Sequence, residues 1–366
     1  MQFKEIKIGR HTLKYPIIQG GMGVGISWSQ LAGTVSAIGA LGVISAIGTG
    51  YYHNRAFVTK QQYGRPANTE QFYNRKATFE IFKDARKICG DAPLGANVLH
   101  AINDYPRVIQ DVCEAGADVI ITGAGLPMNM PEYAADFPNV ALVPIVSSAK
   151  ALRLIAKRWE QRYKKIPDAI VLEGPLSGGH QGFTYEQCVD PNYQLEKLIK
   201  PVVEEAKNIA AHIPVFAAGG IWTHDDIVKF MELGANGAQI GTRFIGTYEC
   251  DAPQAFKDVL IRCKQSDIEL LSSPVGYPAR GVRTNLINLV SERKGPPIRC
   301  ASNCVSPCKR GVEAKAVGYC IADRLSDAAE GNEETGLFFT GSNGYRIDRL
   351  ISVAELIQKL VYGENS

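Results

Sequence analysis

The chain has 366 residues, 45% of them hydrophobic and 21% charged, with a formal net charge of +3. These globular values exclude a disordered chain, and so small a charge gives no electrostatic footprint for nucleic acid. No stretch approaches the roughly 18 apolar residues of a membrane span, and the opening MQFKEIKIGRHTLKYP lacks a signal-peptide core, so a cytoplasmic, soluble protein is expected.

From Pro16 to about Thr242, short apolar or β-branched runs alternate with longer amphipathic ones. The runs predict strands at Ile17 to Gln19, Gly42 to Ser45, Leu94 to Val98, Val119 to Thr122, Leu142 to Val146, Ala169 to Leu172, Val215 to Ala218 and Ala238 to Ile240. Between them, apolar residues at three- and four-residue spacing predict helices, among them Trp28 to Ile38, Tyr73 to Ile88, Pro106 to Ala115, Ser148 to Tyr163, Leu195 to Ala211 and Asp225 to Leu233. Strands separated by helices pair in parallel through right-handed crossovers, and eight of them close an α/β TIM (β/α)8 barrel more naturally than they extend an open sheet. The runner-up is a doubly wound sheet, but the first turn lacks a full dinucleotide fingerprint. Residues 1–245 are read as the barrel, and 246–366 as a lid and cysteine-containing extension packed on it.

In such a barrel the chemistry sits on the loops after the strands. Gly20 to Gly25 follow the first strand with almost no side chains, Asn97 places an amide after the third, Gly123 lies in a small-residue turn after the fourth, and Ser148 follows the fifth. The sixth strand leads into Glu173-Gly174-Pro175 and then Gly178-Gly179-His180-Gln181-Gly182. Glycines flanking one histidine let the backbone approach a flat ligand while the imidazole projects over it. Gly219 and Gly220 after the seventh strand, with Gly241 and Thr242 after the eighth, occupy the places where barrels of this kind hold a phosphate.

Beyond Phe244 the repeat stops. Gly246 to Cys263 reads as helical, Ser272 to Arg280 as an irregular loop able to fold over the mouth, and Leu337 to Tyr345 as a turn before an amphipathic helix at Ser352 to Leu360. Nine cysteines, an odd number, suit reduced thiols or metal ligands better than a disulfide framework. Four of them, Cys300, Cys304, Cys308 and Cys320, crowd into one segment. Their spacing, with Pro307 among them, suits a four-thiolate iron-sulfur (4Fe-4S) cluster better than zinc, with unligated thiols as the remaining reading.

The runs IIQGGMGVG, SGGHQG, AAGGI and GAQIGTRF, with the Asn97 loop, together resemble the nitronate monooxygenase (2-nitropropane dioxygenase) superfamily, which includes the FabK-type enoyl-acyl-carrier-protein reductases. The cysteine segment, with GYYHN, KICG, SPVGYPAR and GYCIAD, is similar to the FabX-type branch of epsilonproteobacteria. The resemblance implies FMN at the barrel mouth, its phosphate near Gly219, Gly220, Gly241 and Thr242, with Gln239 close to that end. It implies Met22 and Gly23 beside the flavin ring, Asn97 hydrogen-bonded to the cofactor and His180 as the acid-base residue; Gly21, Gly123, Ser148 and Gly179 are further cofactor candidates.

The branch implies dehydrogenation of a saturated medium-chain thioester on acyl carrier protein, such as decanoyl-ACP, to a trans-2-enoyl thioester. Isomerisation to the cis-3-enoyl product follows, and molecular oxygen is the simplest electron acceptor. A histidine suits this work because its ordinary pKa lies near working pH. An acidic carrier protein calls for a basic face, and Arg153, Lys157, Arg158, Arg162, Lys164 and Lys165 form one candidate, Arg299, Lys309, Arg310 and Lys315 another. No nucleic-acid or membrane partner is expected, and a homo-oligomer is compatible with the sequence. The competing readings are a nitronate monooxygenase, a nicotinamide-dependent enoyl reductase, and a non-enzymatic flavin and iron-sulfur redox sensor.

Overall fold

Parallel pairing of the eight predicted strands is what the chain adopts in a computed structural model, which describes residues 3–51, 73–298 and 304–364. The barrel strands are β3 (Ile17–Gln19), β4 (Gly42–Ser45), β5 (Leu94–Leu99), β6 (Val119–Gly123), β7 (Ala141–Val146), β8 (Ile170–Glu173), β10 (Val215–Ala218) and β11 (Gly237–Ile240). They run in the order β3-β11-β10-β8-β7-β6-β5-β4, and the Gln19 amide donating to Leu41 O at 2.9 Å, with the Leu41 amide donating to Ile17 O at 3.0 Å, closes β3 onto the start of β4. The result is the TIM-type barrel.

The two-residue alternation of each strand sorts its side chains between two cores. Ile18, Val43, Ile121, Val143, Val171 and Phe216 point into the lumen, whereas Ile17, Ile44, Ile120, Leu142, Ile170 and Leu172 face the surrounding helices. A hairpin that the sequence reading did not foresee, β1 (Ile6–Ile8) with β2 (His11–Leu13), adds Ile8 and Leu13 to the lumen cluster. The helices start where capping chemistry allows: Asn74 accepts from the Ala77 amide at 3.0 Å, and Thr223 with Asp226 forms a reciprocal capping box.

The C-terminal extension differs most from expectation. Gly246 to Cys263 is helical only over Gln254–Arg262, which starts directly after Pro253; ahead of it Asp251 accepts the amides of Trp28 and Leu31 at the start of the Ser29–Ile38 helix. Ser272 to Arg280 is not an isolated irregular loop. It contains the turn joining β12 (Ile268–Leu271) to β13 (Ala279–Val282), and β13 also pairs antiparallel with β9 (Gly179–His180). The extension therefore reaches into the barrel's sixth loop by backbone hydrogen bonding. The cysteine segment carries helices at Val312–Val317 and Ile321–Ala329, the first bounded by left-handed Gly311 and Gly318. Among the described residues no helix is long and apolar enough to cross a membrane.

Candidate active site

At the C-terminal ends of the strands the lumen opens into a cavity of about 250 Å³. Its barrel wall includes Gly21, Met22, Gly23, Asn97, Gly179, His180, Gly219, Gly220, Gln239, Gly241 and Thr242, which stand far apart in sequence. Gly123 and Ser148 are not among the lining residues. Ser148 instead caps the Ala149–Tyr163 helix, accepting the Ala151 amide at 3.2 Å.

One side of the cavity is built of bare backbone. Gly219 and Gly220 have φ of +94° and +82°, and a Cβ on Gly219 would lie 2.7 Å from Gly174 O. Only glycine keeps those amides accessible without strain. Thr242 Oγ1 accepts the Gly341 amide at 2.8 Å, and Asn343 Nδ2 donates to Gly220 O at 2.8 Å. The turn at Gly341 to Asn343 is thus a third wall of this cradle, which the sequence reading did not assign; its Gly-Ser-Asn-Gly composition was the available signal. Next to it, at the exit of the first barrel strand, Gly21 and Gly23 crowd the lumen rim: a Cβ on Gly21 would stand 2.3 Å from Asn97 Cβ, and one on Gly23 would stand 2.8 Å from Ser45 Oγ. Asn97 is held in place by donating to Ile121 O at 3.3 Å.

His180 enters from β9, whose register with β13 places it opposite Ala279. Its Nε2 lies 2.7 Å from Ser273 Oγ, and the edge of the Phe339 ring packs on it at 5.4 Å between centroids. Burial pushes its pKa down to about 4, so the ring is neutral and able to accept a proton. Glu173 is a lining residue that the sequence reading missed. It lies two residues beyond lumen-facing Val171, so the strand's own alternation marks it as inward. Burial pushes its carboxyl up to about 7, and among the described residues it has no ion-pair or hydrogen-bond partner.

The remaining wall is apolar and comes largely from the extension: Phe256, Val275, Val305, Ile321, Leu325 and Leu337. The cysteine segment is docked beside it, the Asn103 amide donating to Cys304 O at 3.2 Å and the Ser306 amide to Ala101 O at 2.9 Å. Cys300 lies outside the described residues, as do residues 52–54 of the GYYHN motif. Cys308 is buried, Cys304 and Cys320 are partly so, and burial pushes the Cys320 thiol up to about 12, with Cys304 among its charge neighbours. Among the described residues no three metal-ligating side chains gather into a metal site.

A glycine cradle, two amide side chains and a neutral imidazole around one cavity at a barrel mouth define a flavin-type oxidoreductase site. The chain matches the family described as "Nitronate monooxygenase" over residues 4–363. Probable nitronate monooxygenases of Staphylococcus aureus and Staphylococcus saprophyticus are each 26% identical to it over 306 residues, 78% of this chain and 79% and 80% of theirs. FabK from Thermotoga maritima superposes with a TM-score of 0.71 at 23% identity, covering 96% of this chain and 93% of that one. Nitroalkane oxidase from Streptomyces ansochromogenes gives 0.66 at 21% identity, covering 95% of each. These two likenesses concern the fold. The chain belongs to the nitronate monooxygenase family and is a flavin-dependent oxidoreductase. The family's flavin is FMN, and the bare cradle at Gly219 and Gly220 fits its phosphate.

Proposed function

We propose that the protein dehydrogenates a saturated medium-chain acyl thioester carried on acyl carrier protein, and isomerises the enoyl product. The observation that supports this reading is the apolar wall of Val275, Val305, Ile321, Leu325 and Leu337 in the same cavity as His180, a lining suited to an aliphatic chain and unnecessary for a small nitronate. Bound FMN supplies the hydride acceptor. His180, neutral because it is buried, takes the α proton of the thioester. Once it has released that proton, the same imidazole can take a proton from the γ carbon and deliver it to the α carbon, which moves the double bond. Glu173, its carboxyl pushed up to about 7 by burial, keeps a protonated fraction near neutral pH that an ordinary carboxyl lacks and can offer a hydrogen-bond donor in that form. Oxygen is the proposed electron acceptor.

The cysteine segment supports a second element of the proposal, a 4Fe-4S cluster held by Cys300, Cys304, Cys308 and Cys320. The proximity of Cys304 and Cys320, with Cys308 four residues from Cys304, is compatible with it. For carrier docking, Lys309 and Lys315 favour the cysteine segment, since it borders the cavity, although Lys309 is within 3.5 Å of Glu313. On the other cluster Arg153 is paired with Glu205 at 2.5 Å and Arg162 lies 3.9 Å from Glu132.

Nitronate oxidation is the second reading, favoured by the curated relatives. Mixing the oxygen-free protein with decanoyl-ACP separates the two. Bleaching of the flavin absorbance is expected; no bleaching, together with rapid turnover of a nitronate, overturns the acyl reading.

A further inference from the structure

One helix of the extension runs along the apolar wall of the cavity. Ile321, Ala322, Leu325 and Ala328 of the Ile321–Ala329 helix all line it, at the spacing of a single helix face. The helix starts at the His180 end. Tyr319, just ahead of it, donates its phenol proton to Ser272 O at 2.5 Å, and the adjoining Ser273 Oγ lies 2.7 Å from His180 Nε2. It finishes near Phe256. A Cβ on Gly331, just past the helix, would stand 2.6 Å from Ala255 Cβ, and one on Gly336 would stand 2.7 Å from Phe338 Cε2 and 3.0 Å from the Ala328 nitrogen. Phe338 in turn packs on Phe256 at 4.9 Å between ring centroids, and both rings are buried.

The back of this helix is pinned. Arg324 and Asp327, both buried, pair at 2.8 Å, and Asp327 accepts from Thr335 Oγ1 at 2.5 Å. The Leu337 amide donates to Arg324 O at 2.9 Å. A wall held in this way keeps its residues at fixed distances from the imidazole. From Ile321 to Ala328 the helix rises about 10 Å, the reach of about eight carbons of an extended alkyl chain. The small side chains of Ala322 and Ala328 leave that length open, and the Phe256 ring stands at its end.

We propose that this helix face measures the acyl chain: with the reacting carbons at His180, Ala328 and Phe256 decide where the far end stops, and the site selects chains of about eight to ten carbons. This rests on the reading of the substrate as an acyl thioester. A shorter chain leaves part of the apolar wall uncovered, and a longer one must fold back or push Phe256 off Phe338.

Acyl carrier protein charged with saturated chains from hexanoyl to tetradecanoyl, mixed with oxygen-free holoenzyme while flavin bleaching is followed, tests this. The wild type is expected to react fastest with octanoyl or decanoyl chains and about tenfold or more slowly with tetradecanoyl. Ala328→Leu, which fills the far end, should raise the hexanoyl-to-decanoyl rate ratio about tenfold or more, and Phe256→Leu, which opens it, should raise the tetradecanoyl-to-decanoyl ratio similarly. FMN content per chain reports that each variant is folded. Calorimetric binding of the free fatty acids of the same lengths is the second readout, and the length bound most tightly should shift in the same two directions. A wild type indifferent to length, or variants whose rate ratios and preferred fatty acid stay at the wild-type values, overturns the proposal. Should no thioester bleach the wild-type flavin, the dehydrogenase reading fails, and the fatty-acid series still decides the measuring role by itself.

Discussion

Glu173 and His180 line one cavity from the same strand-and-loop unit, and burial drives both toward their neutral forms, the carboxyl up to about 7 and the imidazole down to about 4. Two polar groups are thereby kept in a confined space without an ion pair between them. Their effects on stability oppose each other.

Glu173 binds its proton more tightly in the folded chain than at its ordinary 4.5, so its contribution is full below that value and is lost as pH rises through about 7. His180 binds its proton less tightly than at its ordinary 6.5, so its contribution is full above that value and is lost as pH falls through about 4. In flavin-stripped protein the two slopes should largely cancel between pH 4.5 and 6.5. Urea midpoints against pH are expected to rise across that window in Glu173→Gln and to fall across it in His180→Ala. Identical profiles in both variants would contradict the assignment.

His180→Ala should reduce turnover of the thioester by about two to four orders of magnitude, the range for loss of a general base. FMN content should be unchanged, because the cradle is made by Gly219, Gly220 and the turn at Gly341. Stopped-flow flavin absorbance and released flavin per chain measure the two effects separately.

Gly219→Ala puts a Cβ 2.7 Å from Gly174 O at a φ of +94°. The left-handed backbone alone costs about 1–2 kcal/mol. The variant should melt earlier and retain less FMN, as read by thermal denaturation and flavin fluorescence after gel filtration.

Iron and acid-labile sulfide should accompany the oxygen-free protein, and Cys320→Ser should remove most of both. Since Ile321 lines the cavity next to this cysteine, loss of the cluster should also weaken binding of the acyl substrate. Full iron retention in Cys320→Ser would eliminate this cysteine as a ligand.

The barrel was legible because each unit repeats the same physical pattern: a short run buried on both faces, a small-residue exit, then a helix with one apolar stripe. Residues at strand exits, such as Asn97 and Gln239, inherit their place from that repeat. Glu173 reads in the sequence as the residue into which the sixth strand leads, and counting by two from Val171 places it inside. The pairing of β13 with β9 left no trace in the sequence because β9 is only the two residues Gly179 and His180, too short to carry a pattern. The 3₁₀ and helical turns between Ser306 and Val317 were hidden by Pro307, which sits at their start, where proline is tolerated. Ser148 looked functional because it follows a strand, yet the same position suits a helix cap, and there it spends its hydroxyl.

Pairing β13 with β9 also affects how this protein can be divided. Residues 246–366 do not form an accessory that could be trimmed or exchanged at a neutral seam, since the backbone on either side of the imidazole is a strand of their sheet. A chimera that keeps this barrel and borrows another relative's tail would inherit that tail's alignment of the histidine, so reactivity should travel with the graft.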